Sequence, residues 1–141
     1  MSKQITKILR VSLFLFLPGI ALAQHQKPEL PYNASLVTLQ PEAGTGNPAF
    51  QPSATIRGMK ALSDGKVYLV STDDKSLSAY QGNRLVWKAN VVEACPTIVG
   101  QHKIRKVTLS PKTLFVVVGT RTFAEVDAAT GKIVVADVQR N

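Results

Sequence analysis

One pattern of strands and turns occurs twice in this chain, and that duplication limits the fold more than any other feature. Residues 56–72 read IRGMKALSDGKVYLVST, and residues 104–120 read IRKVTLSPKTLFVVVGT. Ile56 matches Ile104, Arg57 matches Arg105, Leu62 and Ser63 match Leu109 and Ser110, and Tyr68 matches Phe115. The offset is 48 at the start and 47 after a one-residue gap. Self-similarity at such a period marks a repeat architecture.

Each copy reads as short strands separated by turns. Asp64-Gly65 is a hairpin signal, because both residues tolerate positive φ. Lys66 to Ser71 is then rich in strand formers. Asp73-Asp74-Lys75 turns the chain, Leu77 to Tyr80 alternates, Gln81-Gly82-Asn83 turns it again, and Arg84 to Trp87 makes another strand. In the second copy, Lys106 to Leu109 precedes a Ser110-Pro111-Lys112 turn. The β-branched and aromatic run Thr113 to Val118 follows, then Thr122 to Val126, the turn Asp127 to Gly131, and Lys132 to Val138. Gly131 is the natural left-handed position of that last turn, and Asp127 can hydrogen-bond the backbone ahead of it. About four strands per copy predict an all-β protein without helix. Val116-Val117-Val118 lacks polar alternation, which predicts cover on both faces of its strand.

LSDGKVYLVSTDDKSLSAYQGNRLVW resembles one blade of a β-propeller of the quinoprotein-like (PQQ-like) repeat class. VTLSPKTLFVVVGTRTFAEVDAATGKIVV is similar to the neighbouring YVTN-type repeat. The shared features are Phe115-Val116, Val126-Asp127, Thr130-Gly131-Lys132 and Ile133-Val134. Trp87 fits the Trp that closes a quinoprotein-like blade, and Val135 takes that place in the second copy. The resemblance covers residues 56–138 and implies two four-stranded antiparallel blades, about 54–92 and 102–141. It transfers no quinone cofactor and no function, since these blades host unrelated activities. A closed propeller has typically four to eight blades, so two leave apolar faces and strand edges open. Three outcomes follow. Several chains associate, three supplying six blades; the two sheets fold face to face as an eight-stranded β-sandwich; or the chain is a fragment of a longer propeller protein.

Residues 1–23 read as a secretory signal peptide. Lys3, Lys7 and Arg10 precede the apolar run Val11 to Leu17, and Ala21-Leu22-Ala23 fits the small-x-small cleavage rule. The run falls short of the roughly 20 residues of a membrane span, so no transmembrane segment is expected in the mature chain. Gln24 is the expected first mature residue, and the protein is expected in the periplasm or outside the cell. Residues 24–53, with five prolines, read as an extended arm or linker, and residues 54–141 as the two-blade domain. Asn33-Ala34-Ser35 fits a glycosylation sequon.

The leader carries three of the 17 Lys and Arg and none of the nine Asp and Glu, which leaves 14 basic and nine acidic residues, a net +5. Such an excess suits anionic glycans or lipid head groups. Nucleic acid is not expected, because no clustered basic and aromatic motif is present.

No residue set points to catalysis, a cofactor or a metal. His25 and His102 lack partners at metal-ligand spacing, and the nucleophile-elbow, zinc-protease and P-loop motifs are missing. Cys95 is the single cysteine and reads as a buried structural residue. Its pairing with His102 as a thiol dyad has no support in spacing. Asp73 and Asp74 read as turn residues, too few for a calcium loop. Two surfaces are candidates for ligands. Arg57 and Arg105, with the basic run His102, Lys103 and Lys106, form a possible anion-binding rim. Trp87, Tyr68 and Tyr80 form either an inter-blade core or a sugar-binding cleft. The function expected is that of a non-catalytic exported repeat protein acting in binding or assembly, completed by copies of itself or by another envelope or secreted protein. A secreted glycan-binding, lectin-like module is the alternative.

Overall fold

A computed structural model describes residues 29–39 and 50–138. The leader, His25 and the expected first mature residue Gln24 lie outside them. The described chain is mostly β-strand, arranged as two sheets, neither of which closes on itself.

The first sheet has five strands in the order β1 (Val37–Leu39), β2 (Gly58–Lys60), β3 (Val67–Val70), β4 (Ser76–Gln81) and β5 (Arg84–Asn90). The second is a four-stranded meander of β6 (Ile104–Leu109), β7 (Thr113–Val118), β8 (Thr122–Asp127) and β9 (Ile133–Val138). All pairings are antiparallel except that of β1 with β2, which is parallel.

Turn chemistry sets the hairpins. Asp127 accepts from the amides of Ala129 at 2.9 Å and Thr130 at 2.8 Å, and Gly131 closes the turn at φ 74°. Asp64 accepts from the Lys66 amide at 2.9 Å, and Gly65 lies at φ 71°. Asp73 accepts from the Lys75 amide at 3.1 Å while Asp74 takes φ 60°. Asp73 and Asp74 therefore serve backbone geometry, which Asp tolerates better than most residues.

Two expectations need correction. The first sheet has five strands rather than four, because the proline-rich arm supplies β1. The same arm supplies Phe50, whose amide and carbonyl bond those of Val107 at 2.7 and 2.8 Å. The arm thus covers the free edge of β2 and part of the free edge of β6, the edges most prone to stray pairing. The chain also has one turn of α-helix, α1 (Val91–Ala94), and a 3-10 turn over Ala34–Leu36. Asn90 caps α1: its side-chain oxygen accepts from the Glu93 amide at 3.1 Å, and its side-chain amide donates to the Glu93 carboxylate at 2.9 Å. Four residues are too few to show a helical period in sequence.

The two sheets share one core. Met59, Tyr68, Leu77, Ala79 and Trp87 line one face of the first sheet. Val107, Leu109, Leu114, Val116, Ala124 and Val126 line the face of the second sheet that meets it. Trp87 joins them: its indole N–H donates to the Ala128 carbonyl at 3.0 Å, and its ring centroid lies 6.0 Å from that of Tyr68. The sheets run in the same sense. Asp74, in the β3–β4 turn, bonds the Arg57 side chain just ahead of β2 at 2.6 Å, and its carbonyl accepts from the amide of Ile104, which starts β6, at 2.7 Å. Both first strands therefore begin at one end of the stack.

The duplication has a structural signature in its β-bulges. The β4–β5 ladder skips Val86 beside Tyr80, and the β8–β9 ladder skips Val134 beside Val126. Matching these two bulges equates Trp87 with Val135, Ala79 with Glu125, and, through the ladders, Tyr68 with Phe115 and Met59 with Thr108. Other matches from the sequence shift. Leu62 is exposed in a four-residue turn whereas Leu109 is buried in a strand. The counterpart of Arg57 is Lys106, because Arg105 is the extra residue of a bulge between Ile104 and Lys106.

Candidate functional site

The bulge correspondence exposes an asymmetry. Tyr68, Ala79 and Trp87 face the second sheet, but Phe115 and Glu125 lie on the face of the second sheet that points away from the first. That outer face consists of two cross-strand rows. One is Lys106, Val117, Phe123 and Asp137; the other is Thr108, Phe115, Glu125 and the backbone position of Val135. Phe115 and Phe123 stack at 5.3 Å with planes 25° apart, and Phe115 is 39% exposed. Val117 and Phe123 are half-buried. Val116 and Val118 are fully buried on the inner face. The cover expected on both sides of this strand is therefore present on one side among the described residues. Large aromatic and β-branched side chains on a bare sheet face are the usual substance of an interface core.

The outer face of the first sheet differs. Its positions are Gly58 and Lys60, Val67 and Leu69, Ser78 and Tyr80, and Leu85 and Lys88. Tyr32 of the arm packs on Tyr80 with ring centroids 5.0 Å apart, and Val67 is buried. Burial, and then the neighbouring Tyr80, raise the Tyr32 phenol above its ordinary value.

Arg57 does not serve a rim with Arg105. Its guanidinium bonds Asp74 at 2.6 Å, with side chains 14% and 22% exposed, and also donates to the carbonyls of Ser71 and Val70. Its Nε is buried without a hydrogen-bond partner. Arg57 therefore ties the start of β2 to the β3–β4 turn, while Arg105 is exposed at the bulge. Lys103 and Lys106 are exposed as well.

Trp87 and Tyr68 are committed to packing between the sheets. Burial, followed by the nearby Asp64 and Asp127 carboxylates, pushes the Tyr68 phenol up to about 12. Tyr80 meets Tyr32 on the outer face. The three aromatic residues named as a sugar cleft thus divide between an interior and a surface.

Cys95 and His102 do come together, in a shallow cleft of about 330 Å³ lined also by Lys75, Asn90 and Glu93. Burial raises the Cys95 thiol above its ordinary value, and the thiol donates to the Val91 carbonyl at 3.2 Å. A buried, protonated thiol is a poor nucleophile. Among the described residues, no three His, Cys, Asp or Glu side chains group as metal ligands, and no helix is long and apolar enough to cross a membrane. The sequon Asn33 is exposed, and its side-chain oxygen accepts from the Ser35 amide at 3.0 Å and hydroxyl at 2.7 Å.

The feature missed in sequence is the outer face itself. Phe115, Val117 and Phe123 are visible as apolar residues, but only the strand register shows that they share a side. Comparison with protein-family models, with curated proteins and with solved structures gives no match.

Proposed function

We propose that this chain is a two-blade, propeller-type repeat unit that is exported and works by binding and assembly rather than by catalysis. The supporting observation is the bare Phe115–Phe123 face. It corresponds to the face that the first sheet buries against its neighbour, so the stack stops at a surface suited to another layer. Repeat stacks of this kind hide their apolar faces only by meeting neighbours. Copies of the chain, or an envelope or secreted partner, complete it. The leader at residues 1–23 directs export, and mass spectrometry of the secreted form should find Gln24 first.

Size-exclusion chromatography coupled to light scattering, with an apolar fluorescent dye in a parallel assay, tests the assembly reading. The expected result is either self-association or a single molecule that binds dye through the Phe115 face, with binding reduced by Phe115→Ser. A single compact molecule that leaves the dye unbound sinks the reading.

A further inference from the structure

The two ends of the stack are chemically unequal. Where the second sheet buries Leu109, Ala124 and Ala136 toward the first, the corresponding outward positions of the first sheet hold Lys60, Ser78 and Lys88. Lys60 and Lys88 are exposed. Tyr32 already lies over Tyr80. This surface mixes lysines with Val67, Leu69 and an exposed Leu85, and Tyr32 occupies part of it; its two exposed lysines at the margins resemble those of the terminal cap of a repeat array.

The open face has a different property. Across β6, β7, β8 and β9 its first row reads Lys106, Val117, Phe123, Asp137. A cation stands at one end, an anion at the other, and two apolar side chains lie between. Lys106 and Asp137 are exposed. Neither belongs to either ion pair found among the described residues; among those residues the Asp137 carboxylate accepts from the Val138 amide, at 2.7 Å. Turning a second copy by half a turn about an axis parallel to the strands places Lys106 against the partner copy's acidic end. Val117 then meets the other copy's Phe123. The row is complementary to itself, as a two-fold interface requires.

Resting on the assembly reading above, we infer that the outer face of the second sheet docks on the same face of a second copy of this chain. The product is a two-fold dimer of four stacked sheets, with the Phe115–Phe123 stack at its centre, Phe115 against the other copy's Glu125, Lys106 and Asp137 at its rims, and the first sheets outermost.

Charge exchange tests this on the full chain, by sedimentation equilibrium at low salt. Asp137→Lys and Lys106→Asp each set like charges opposite each other twice. Each should weaken the dimer by about tenfold or more, whereas the double exchange should restore it. Leu85→Lys, on the first sheet's outer face, should leave dimerisation unchanged. The emission of buried Trp87 serves as the folding control in every variant. Three results overturn the inference. If Leu85→Lys disperses the assembly and charge exchange has no effect, copies stack head to tail, and the assembly reading stands. If the double exchange fails to restore a dimer that both single exchanges weaken, the two-fold pairing is wrong. A single molecule that binds apolar dye removes self-docking and leaves a partner as the occupant.

Discussion

The first sheet and the second share a four-strand pattern and one core, yet their outward faces differ. Both contain a four-stranded antiparallel meander with a bulge in its last ladder. The first turns two lysines, a serine, Val67, Leu69, Leu85 and a tyrosine-on-tyrosine contact outward; the second turns a stacked phenylalanine pair and a valine outward, among Lys106, Glu125 and Asp137. The stacked aromatic pair on the second outer face has no equivalent at the matching positions of the first, while the four-strand meander is common to both.

The largest test of the comparison is whether the two sheets stand or fall together. Trp87→Ala removes a side chain that joins the two sheets and leaves the Ala128 carbonyl without its indole donor. A loss of about 3–5 kcal/mol in urea unfolding is expected, in a single transition. Two separate transitions would show that the shared core does not couple the sheets.

The last turns of the two copies come next. Gly82 lies at φ 59° and faces open space, whereas Gly131 lies at φ 74° beneath the Trp87 ring, where an added Cβ would sit about 2.5 Å from ring carbons. Gly82→Ala should cost about 1 kcal/mol for left-handed strain alone. Gly131→Ala adds the clash and should cost about 3 kcal/mol in the same assay. Equal costs would mean that Trp87 does not press on the turn.

Arg57 and Arg105 then separate a strut from a surface charge. Removing Arg57 takes a donor from Asp74 and from the carbonyls of Ser53, Val70 and Ser71. After allowance for its partial exposure, about 1–2 kcal/mol is expected for Arg57→Ala, against less than about 0.5 kcal/mol for Arg105→Ala. Thermal melts of the two variants side by side would decide.

The last effect is silent near neutral pH and shows itself only in alkali. The folded state holds the Tyr68 proton up to about 12, against 10.0 ordinarily. The unfolded chain gives up that proton first, so stability is whole below the ordinary value and falls as pH rises toward the folded one. The cost is about 2 kcal/mol over that window. Tyr68→Phe should flatten this part of the stability curve relative to the parent, and identical slopes would place Tyr68 outside the core.

Much of the fold was legible in the residues. The turns at Asp64-Gly65, Asp73-Asp74 and Asp127 to Gly131 carry their geometry in side-chain chemistry, and β-branched runs mark the strands between them. The arm's contribution was not legible. Val37-Thr38-Leu39 is too short for a period, and parallel pairing with β2 leaves no local trace. Phe50 is a lone apolar residue in a stretch of Pro, Gly and polar residues. The candidate face was half legible: its side chains stand in plain view, but a shift of one residue moves them to the other side of the sheet. The bulges that fix the register are backbone events with no residue signal of their own.

The arm has one further consequence. Residues 37–39 lie along the inner margin of one sheet, and Phe50 grips the corresponding margin of the other. One arm therefore gives backbone hydrogen bonds to both sheets. Three residues and a single phenylalanine thus guard the two margins at which a stray strand could add, so trimming the arm would trade stability for stickiness at both.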